Sequence, residues 1–185
     1  MIKTTYILLL LLFFATACND SDNKTNTINM ETGKTTNPLY SNSDSEKVNV
    51  GDEEWKKILP ADVYNIAREK GTERAFTGKY NLHKDVGTYY CAACGNPIFA
   101  SNGKFESSCG WPSFFEPITK GSIIYAPDNA YGMKRTEVMC GRCKAHLGHV
   151  FEDGPPPTGL RYCINSVILD FKKAKGAEDK FESKK

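Results

Sequence analysis

Two Cys-x-x-Cys pairs, Cys91/Cys94 and Cys140/Cys143, constrain this 185-residue chain more than any other feature. Cys91-Ala92-Ala93-Cys94-Gly95 and Cys140-Gly141-Arg142-Cys143-Lys144 read as two knuckles, each turning tightly enough to aim both thiolates at one ion. Two such pairs make a closed tetrahedral four-thiolate zinc site, one ion per chain, and a closed site is structural. The fold must then bring two distant segments to one point. Two disulfides or free core thiols are the alternatives, although a bridge within Cys-x-x-Cys closes only a tiny loop and staples little. A rival grouping of Cys140, Cys143, His146 and His149 strands Cys91 and Cys94 and leaves little chain between ligands to wrap an ion.

The other three of the seven cysteines stand alone: Cys18, Cys109 and Cys163. Cys18 closes an N-terminal segment with Lys3 in a short basic start, an apolar run from Tyr6 to Phe14, and then Ala15-Thr16-Ala17. The run is shorter than the roughly 20 residues of a spanning helix, so it reads as an export signal over 1–17. Ala15-Thr16-Ala17 suits ordinary cleavage, but a cysteine directly after it resembles a bacterial lipobox, with Cys18 acylated as the new N-terminus. Ala15 departs from the leucine more usual there. The expectation is an exported lipoprotein held to a membrane on the periplasmic or cell-surface side. From Asn19 to about Val50 the chain is rich in Asn, Ser, Thr, Asp and Lys, and reads as a flexible polar stalk over 18–50. The alternative is an extension packed on the domain through Leu39, Tyr40 and Val48. Lys and Arg number 24 against 22 Asp and Glu, so charge gives no reason to expect nucleic acid.

The folded part, 51–172, opens with two short helices. Asp52 suits a cap, with Glu53 and Glu54 in the first turn and Trp55, Ile58 and Leu59 on one face. Pro60 suits the start of a second helix from Ala61 to Lys70, stopped by Gly71. Beyond Gly71, short segments rich in β-branched and aromatic residues alternate with turn residues: Thr88–Tyr90, Ile98–Ala100, Ser122–Tyr125, Met133–Met139 and Tyr162–Phe171. The fold expected is mainly β, an antiparallel sheet or small barrel behind two short N-terminal helices, acting as a monomer. A charged tail over 173–185 follows.

Cys163 lies in Gly159-Leu160-Arg161-Tyr162-Cys163-Ile164-Asn165-Ser166. If Arg161 to Ile168 is extended, Arg161, Cys163 and Asn165 share a face, setting a cation and an amide beside the thiol. A neighbouring guanidinium favours the thiolate, the form a nucleophile needs. The alternative is a core thiol on a buried strand. Cys109 stands in Ser107-Ser108-Cys109-Gly110-Trp111-Pro112, a loop that reads either as a turn thiol beside a packing Trp or as a mobile carrier reaching Cys163 only after reaction. His146-Leu147-Gly148-His149-Val150-Phe151 sets two imidazoles three apart, suited to proton donation near pH 7 or to a satisfied core pair.

These strings, with Gly71-Thr72-Glu73-Arg74-Ala75-Phe76-Thr77-Gly78-Lys79-Tyr80 and Cys109-Gly110-Trp111-Pro112-Ser113-Phe114, resemble the methionine-R-sulfoxide reductases over Trp55 to Phe171. The resemblance implies Cys163 as nucleophile and Cys109 as resolving cysteine. It places Trp111, Phe151, His146, His149, Arg161 and Asn165 around the substrate and makes the four knuckle cysteines zinc ligands. It implies reduction of methionine-R-sulfoxide in proteins through a sulfenic acid and a disulfide recycled by a thioredoxin-like dithiol. A proline or similar residue is usual where Ala75 stands. The other class consistent with the residues is a membrane-tethered zinc-ribbon module that binds or senses oxidants without turnover.

Overall fold

The computed structural model describes residues 37–175. The signal segment, Cys18, the stalk up to residue 36 and the tail beyond residue 175 lie outside the described residues. Helix α1, Asp52–Ile58, carries Asp52, Glu53 and Glu54 in its first turn and Lys56 and Lys57 in its last, complementing the helix dipole. Gly51 is its N-cap, so Asp52 stands inside the first turn, where its Oδ1 accepts from Arg68 Nε at 2.7 Å. Helix α2, Ala61–Glu69, follows Pro60 and ends on Lys70 in the left-handed conformation (φ 56°). Trp55, Leu59, Val63, Ile66 and Ala67 form the buried face of the helix pair.

Among the described residues nine antiparallel strands follow: β1 (Gly87–Cys91), β2 (Pro97–Ala100), β3 (Lys104–Phe105), β4 (Ser113–Phe114), β5 (Ile123–Asp128), β6 (Arg135–Cys140), β7 (His146–Phe151), β8 (Arg161–Ile164) and β9 (Leu169–Lys173). They form a three-stranded sheet, β2-β1-β9, and a six-stranded sheet, β3-β4-β8-β7-β6-β5. Aromatic residues join the sheets. Phe99 of β2 stacks on Phe114 of β4 with centroids 4.3 Å apart, and Tyr89 of β1 meets Phe114 edge-on at 5.1 Å. The mainly β, antiparallel architecture with two short leading helices is the one the sequence predicts.

Three expectations are corrected. The extended run predicted over Tyr162–Phe171 is two strands in different sheets, β8 and β9, because the chain turns at Asn165–Ile168 and passes from one sheet to the other. Strand β9 reaches Lys173, paired with Gly87, so the charged tail starts later than its composition suggests. The third correction concerns 37–50, assigned by composition to the stalk. This stretch lies against the domain: Ser41 N donates to Cys94 O, Val48 N to Arg142 O, and Leu39, Val48 and Val50 pack on the core. Buried Arg142 donates to Leu39 O, Glu46 O and Cys94 O and pairs with Asp44. Composition misses this strap because polar side chains and backbone groups, rather than apolar area, hold most of it.

Candidate active site

Strand β8 puts Cys163 between two neighbours. In register it faces Ser113 of β4 on one side and His149 of β7 on the other. Strand β7 lies so close at this point that a Cβ on Gly148 would stand 2.0 Å from the Cys163 carbonyl oxygen. On the β4 side, the loop before Ser113 brings Cys109 Sγ to 3.5 Å from Cys163 Sγ. Gly110 takes φ 92°, favourable only for glycine, and its carbonyl accepts from Phe76 N at 2.7 Å. Ser107 Oγ is 2.9 Å from Cys109 Sγ and 2.6 Å from Ser113 Oγ, so the loop is tied to the strand that flanks Cys163. The two sulfurs thus stand together before any reaction, where the sequence left Cys109 to arrive afterwards.

The electrostatics of the two thiols differ. Burial opposes ionisation of Cys109, but hydrogen bonds from Ser107, Ser113, the Trp111 backbone and Cys163 outweigh it and set its pKa at about 7. Cys163 is pushed up to about 12, first by burial and then by the Cys109 charge and hydrogen bond, with Arg161 opposing. Arg161 does favour the thiolate, as its place on the strand predicts, but burial and Cys109 outweigh it, and the guanidinium is shared with a carboxylate. Its Nε and a terminal nitrogen donate to the Asp153 carboxylate at 2.8 and 2.9 Å, and it lies 4.5 Å over the Phe151 ring. The thiolate of the pair therefore forms on Cys109, about half ionised at pH 7, with the Cys163 proton alongside.

Each imidazole has its own carboxylate. His146 is buried, its Nδ1 2.8 Å from Glu137 Oε1, while Glu137 Oε2 accepts from Lys70 Nζ at 2.7 Å. Burial lowers the His146 pKa even though Glu137 works in the other direction. His149 Nε2 lies 2.7 Å from Asp128 Oδ2, and the two imidazoles meet edge-on with centroids 5.4 Å apart. Trp111 is fixed by its Nε1 donating to Glu73 O at 3.1 Å. Asn165 lies beyond the end of β8. Its Oδ1 accepts from Glu73 N and its Nδ2 donates to Leu147 O, so its amide joins the chain segments around the site instead of sharing a strand face with Cys163.

The four knuckle cysteines are buried, with sulfurs all within 4.8 Å of one another. Cys91 Sγ lies 3.8 Å from Cys143 Sγ and Cys94 Sγ 3.6 Å from Cys140 Sγ, so the close pairs cross from one knuckle to the other. Tetrahedral metal–sulfur bonds of about 2.3 Å require sulfurs about 3.8 Å apart, so the donor set fits a four-thiolate metal site. Gly95 (φ 80°) and Lys144 (φ 60°) close equivalent turns, with Gly95 N donating to Cys91 O and Lys144 N to Cys140 O. The rival grouping with His146 and His149 falls, since the sulfurs of Cys140 and Cys143 gather with those of Cys91 and Cys94. 

A mainly β domain that couples a close pair of free thiols to carboxylate-held imidazoles, with a separate cluster of four cysteines able to hold a metal ion, defines a thiol-dependent redox enzyme. Residues 59–173 match the SelR domain family, and the chain belongs to that family. It is 58% identical over 132 residues to the peptide methionine sulfoxide reductase MsrB of Pseudomonas putida strain W619, covering 71% of this chain and 99% of that protein. The protein of the same name from Leptospira interrogans is 55% identical over 127 residues, covering 69% of this chain and 97% of that one.

Sequence reasoning missed several residues that organise this site. Glu73 accepts from Ser166 N and Val167 N through its carboxylate and from Trp111 through its carbonyl. Asp128 reads as a turn residue in Pro127-Asp128-Asn129, and Ser107 and Ser113 as loop filler. Glu137 left a usable signal: a carboxylate between the apolar positions of β6 needs a buried partner.

Proposed function

We propose that this protein reduces methionine-R-sulfoxide in polypeptides to methionine, with Cys163 as nucleophile and Cys109 as resolving thiol. The 3.5 Å separation of these two sulfurs, beside His149, carries the reading. Cys163 passes its proton to the Cys109 thiolate and attacks the sulfoxide sulfur. His149 supplies a proton to the sulfoxide oxygen, with His146 behind it. The oxygen transfers to Cys163, methionine leaves, and Cys163 remains as sulfenic acid. Cys109 sulfur then displaces that oxygen as water and forms a disulfide, closing 3.5 Å to about 2.05 Å. A thioredoxin-like dithiol reduces the bond by exchange and is itself oxidised. Trp111 packs against the sulfoxide methyl, and Phe151 holds Arg161 along one wall. In this reading Asn165 shapes the site through Glu73 and Leu147.

The metal at Cys91, Cys94, Cys140 and Cys143 is proposed to be zinc, which would hold the two knuckles together. The chain is further proposed to be an exported monomer, acylated at Cys18 and bound to a membrane. Among the described residues no helix is long and apolar enough to cross one. Membrane partitioning lost on Cys18→Ala tests the anchor. Incubation with methionine-R-sulfoxide and a dithiol tests the activity: methionine should form at many turnovers per chain and vanish in Cys163→Ser. Thiol oxidation without methionine release would leave a redox sensor instead.

A further inference from the structure

The hairpin between β5 and β6 carries a carboxylate with three simultaneous partners. Asp128 Oδ1 accepts from Ala130 N at 2.9 Å, closing the turn. Its Oδ2 lies 2.7 Å from His149 Nε2 and accepts from an Arg135 terminal nitrogen at 2.7 Å. The Ala130 N–H first, then His149 and Arg135, hold this carboxyl well below the ordinary carboxylate range, so it is an acceptor only at working pH. An acceptor at Nε2 dictates that Nε2 bears a proton, and the other nitrogen, Nδ1, has no hydrogen-bond partner among the described residues. The ring is also bounded by His146, by Glu137 opposite it on β6 and by Cys163 opposite it on β8.

We infer that Asp128 is a positioning residue for the reduction: by holding Nε2–H it fixes the His149 tautomer and makes Nδ1 the atom that carries the proton delivered to the sulfoxide oxygen. The inference rests on the proposed reductase reaction. A doubly protonated ring held this way gives up the Nδ1 proton and returns to the stable Nε2–H tautomer. With the tautomer inverted, a neutral Nδ1–H can donate a hydrogen bond but cannot part with its proton without leaving an imidazolate.

Asp128→Asn makes the distinction sharp. The turn keeps the amide oxygen on Ala130 N, so the amide NH2 replaces Oδ2 and faces His149 as a donor. Nitrogen-15 NMR of histidine-labelled full-length chain should show Nε2–H at His149 in the native protein and Nδ1–H in Asp128→Asn. Single-turnover methionine release at saturating substrate should slow about 100-fold, the scale of a lost general acid. Asp128→Glu should restore the native tautomer and part of the rate, and Arg135→Met, which alters the same hairpin, should keep the tautomer and lose less than about 10-fold. An unchanged tautomer or rate in Asp128→Asn overturns the inference. So does an equal loss in Arg135→Met, which would assign the effect to hairpin shape. A native chain that shows Nε2–H but reduces no sulfoxide would instead defeat the proposed reaction while leaving the tautomer assignment standing.

Discussion

Cys109 and Cys163 are chemically unequal although they stand 3.5 Å apart. Hydrogen bonds concentrate the negative charge on the more exposed sulfur and burial keeps the proton on the other. A short iodoacetamide pulse followed by peptide mapping should therefore label Cys109 before Cys163, at a rate half-maximal near pH 7. Labelling half-maximal near pH 9, or Cys163 reacting first, would contradict this arrangement. The sign for stability follows from the same value. The folded state lowers the Cys109 pKa below its ordinary 9.0, so ionisation stabilises the fold above pH 9, and that contribution is lost as pH falls through about 7. The roles separate on substitution. Cys163→Ser should abolish methionine release, while Cys109→Ser should release close to one methionine per chain and then fail to recycle with thioredoxin. Full thioredoxin-driven turnover in Cys109→Ser would assign resolution to another thiol.

Among elements, the approach of β7 to β8 is the tightest constraint on the site. Gly148→Ala would drive a methyl into the Cys163 carbonyl, so the strands must separate where His149 faces Cys163. Overpacking of this kind destabilises by about 1–3 kcal/mol, and urea unfolding together with single-turnover rates should show both losses. Unchanged stability and rate would mean the strands yield without effect. The strap of residues 37–50 makes a second prediction. Arg142 ties Leu39, Asp44 and Glu46 to the knuckle carbonyl of Cys94, so Arg142→Met should speed metal loss to a chromophoric chelator by about 10-fold or more. Release at the native rate would reduce the strap to a surface feature.

These elements also show what was legible in the chain. The four knuckle cysteines, both helices and most strands announce themselves through spacing, Pro and Gly punctuation and β-branched runs. Cys163 and Cys109 stand out by elimination, because the knuckles absorb four of the seven cysteines. Strand β7 was hidden because two histidines and Gly148 interrupt the apolar alternation a strand is read from. The partners Asp128, Glu73 and Asp153 were hidden for a different reason: each meets its target through the fold or across a turn, and local pattern carries no trace of that. Strand periodicity puts Arg161 beside Cys163, where it does favour the thiolate, but the burial that outweighs it and the Asp153 carboxylate that shares its charge are not visible in the pattern.

At the scale of the molecule, the metal site and the thiol pair are separate devices on one scaffold, joined through β6, β7 and β8. Structural zinc contributes about 10–16 kcal/mol in finger peptides, comparable to or above the 5–15 kcal/mol stability of a whole domain. Elemental analysis should find about one zinc per chain, and Cys94→Ser or Cys140→Ser should unfold the domain, followed by circular dichroism. A stably folded, active, metal-free preparation would refute the structural role. The central claim is that one pocket presents Cys163 to sulfur, His149 to oxygen and Trp111 to methyl. A sulfoxide sulfur is pyramidal, so its S epimer cannot satisfy all three contacts. Keeping attack and methyl contact turns the oxygen from its donor, and loss of one such donor slows reaction by about 10²- to 10³-fold. The most direct test is kcat/KM on the separated epimers of peptide-bound methionine sulfoxide with a dithiol. Reduction of the R epimer with at least about 100-fold discrimination is the predicted result, and comparable values for both epimers, or no methionine from either, would contradict it.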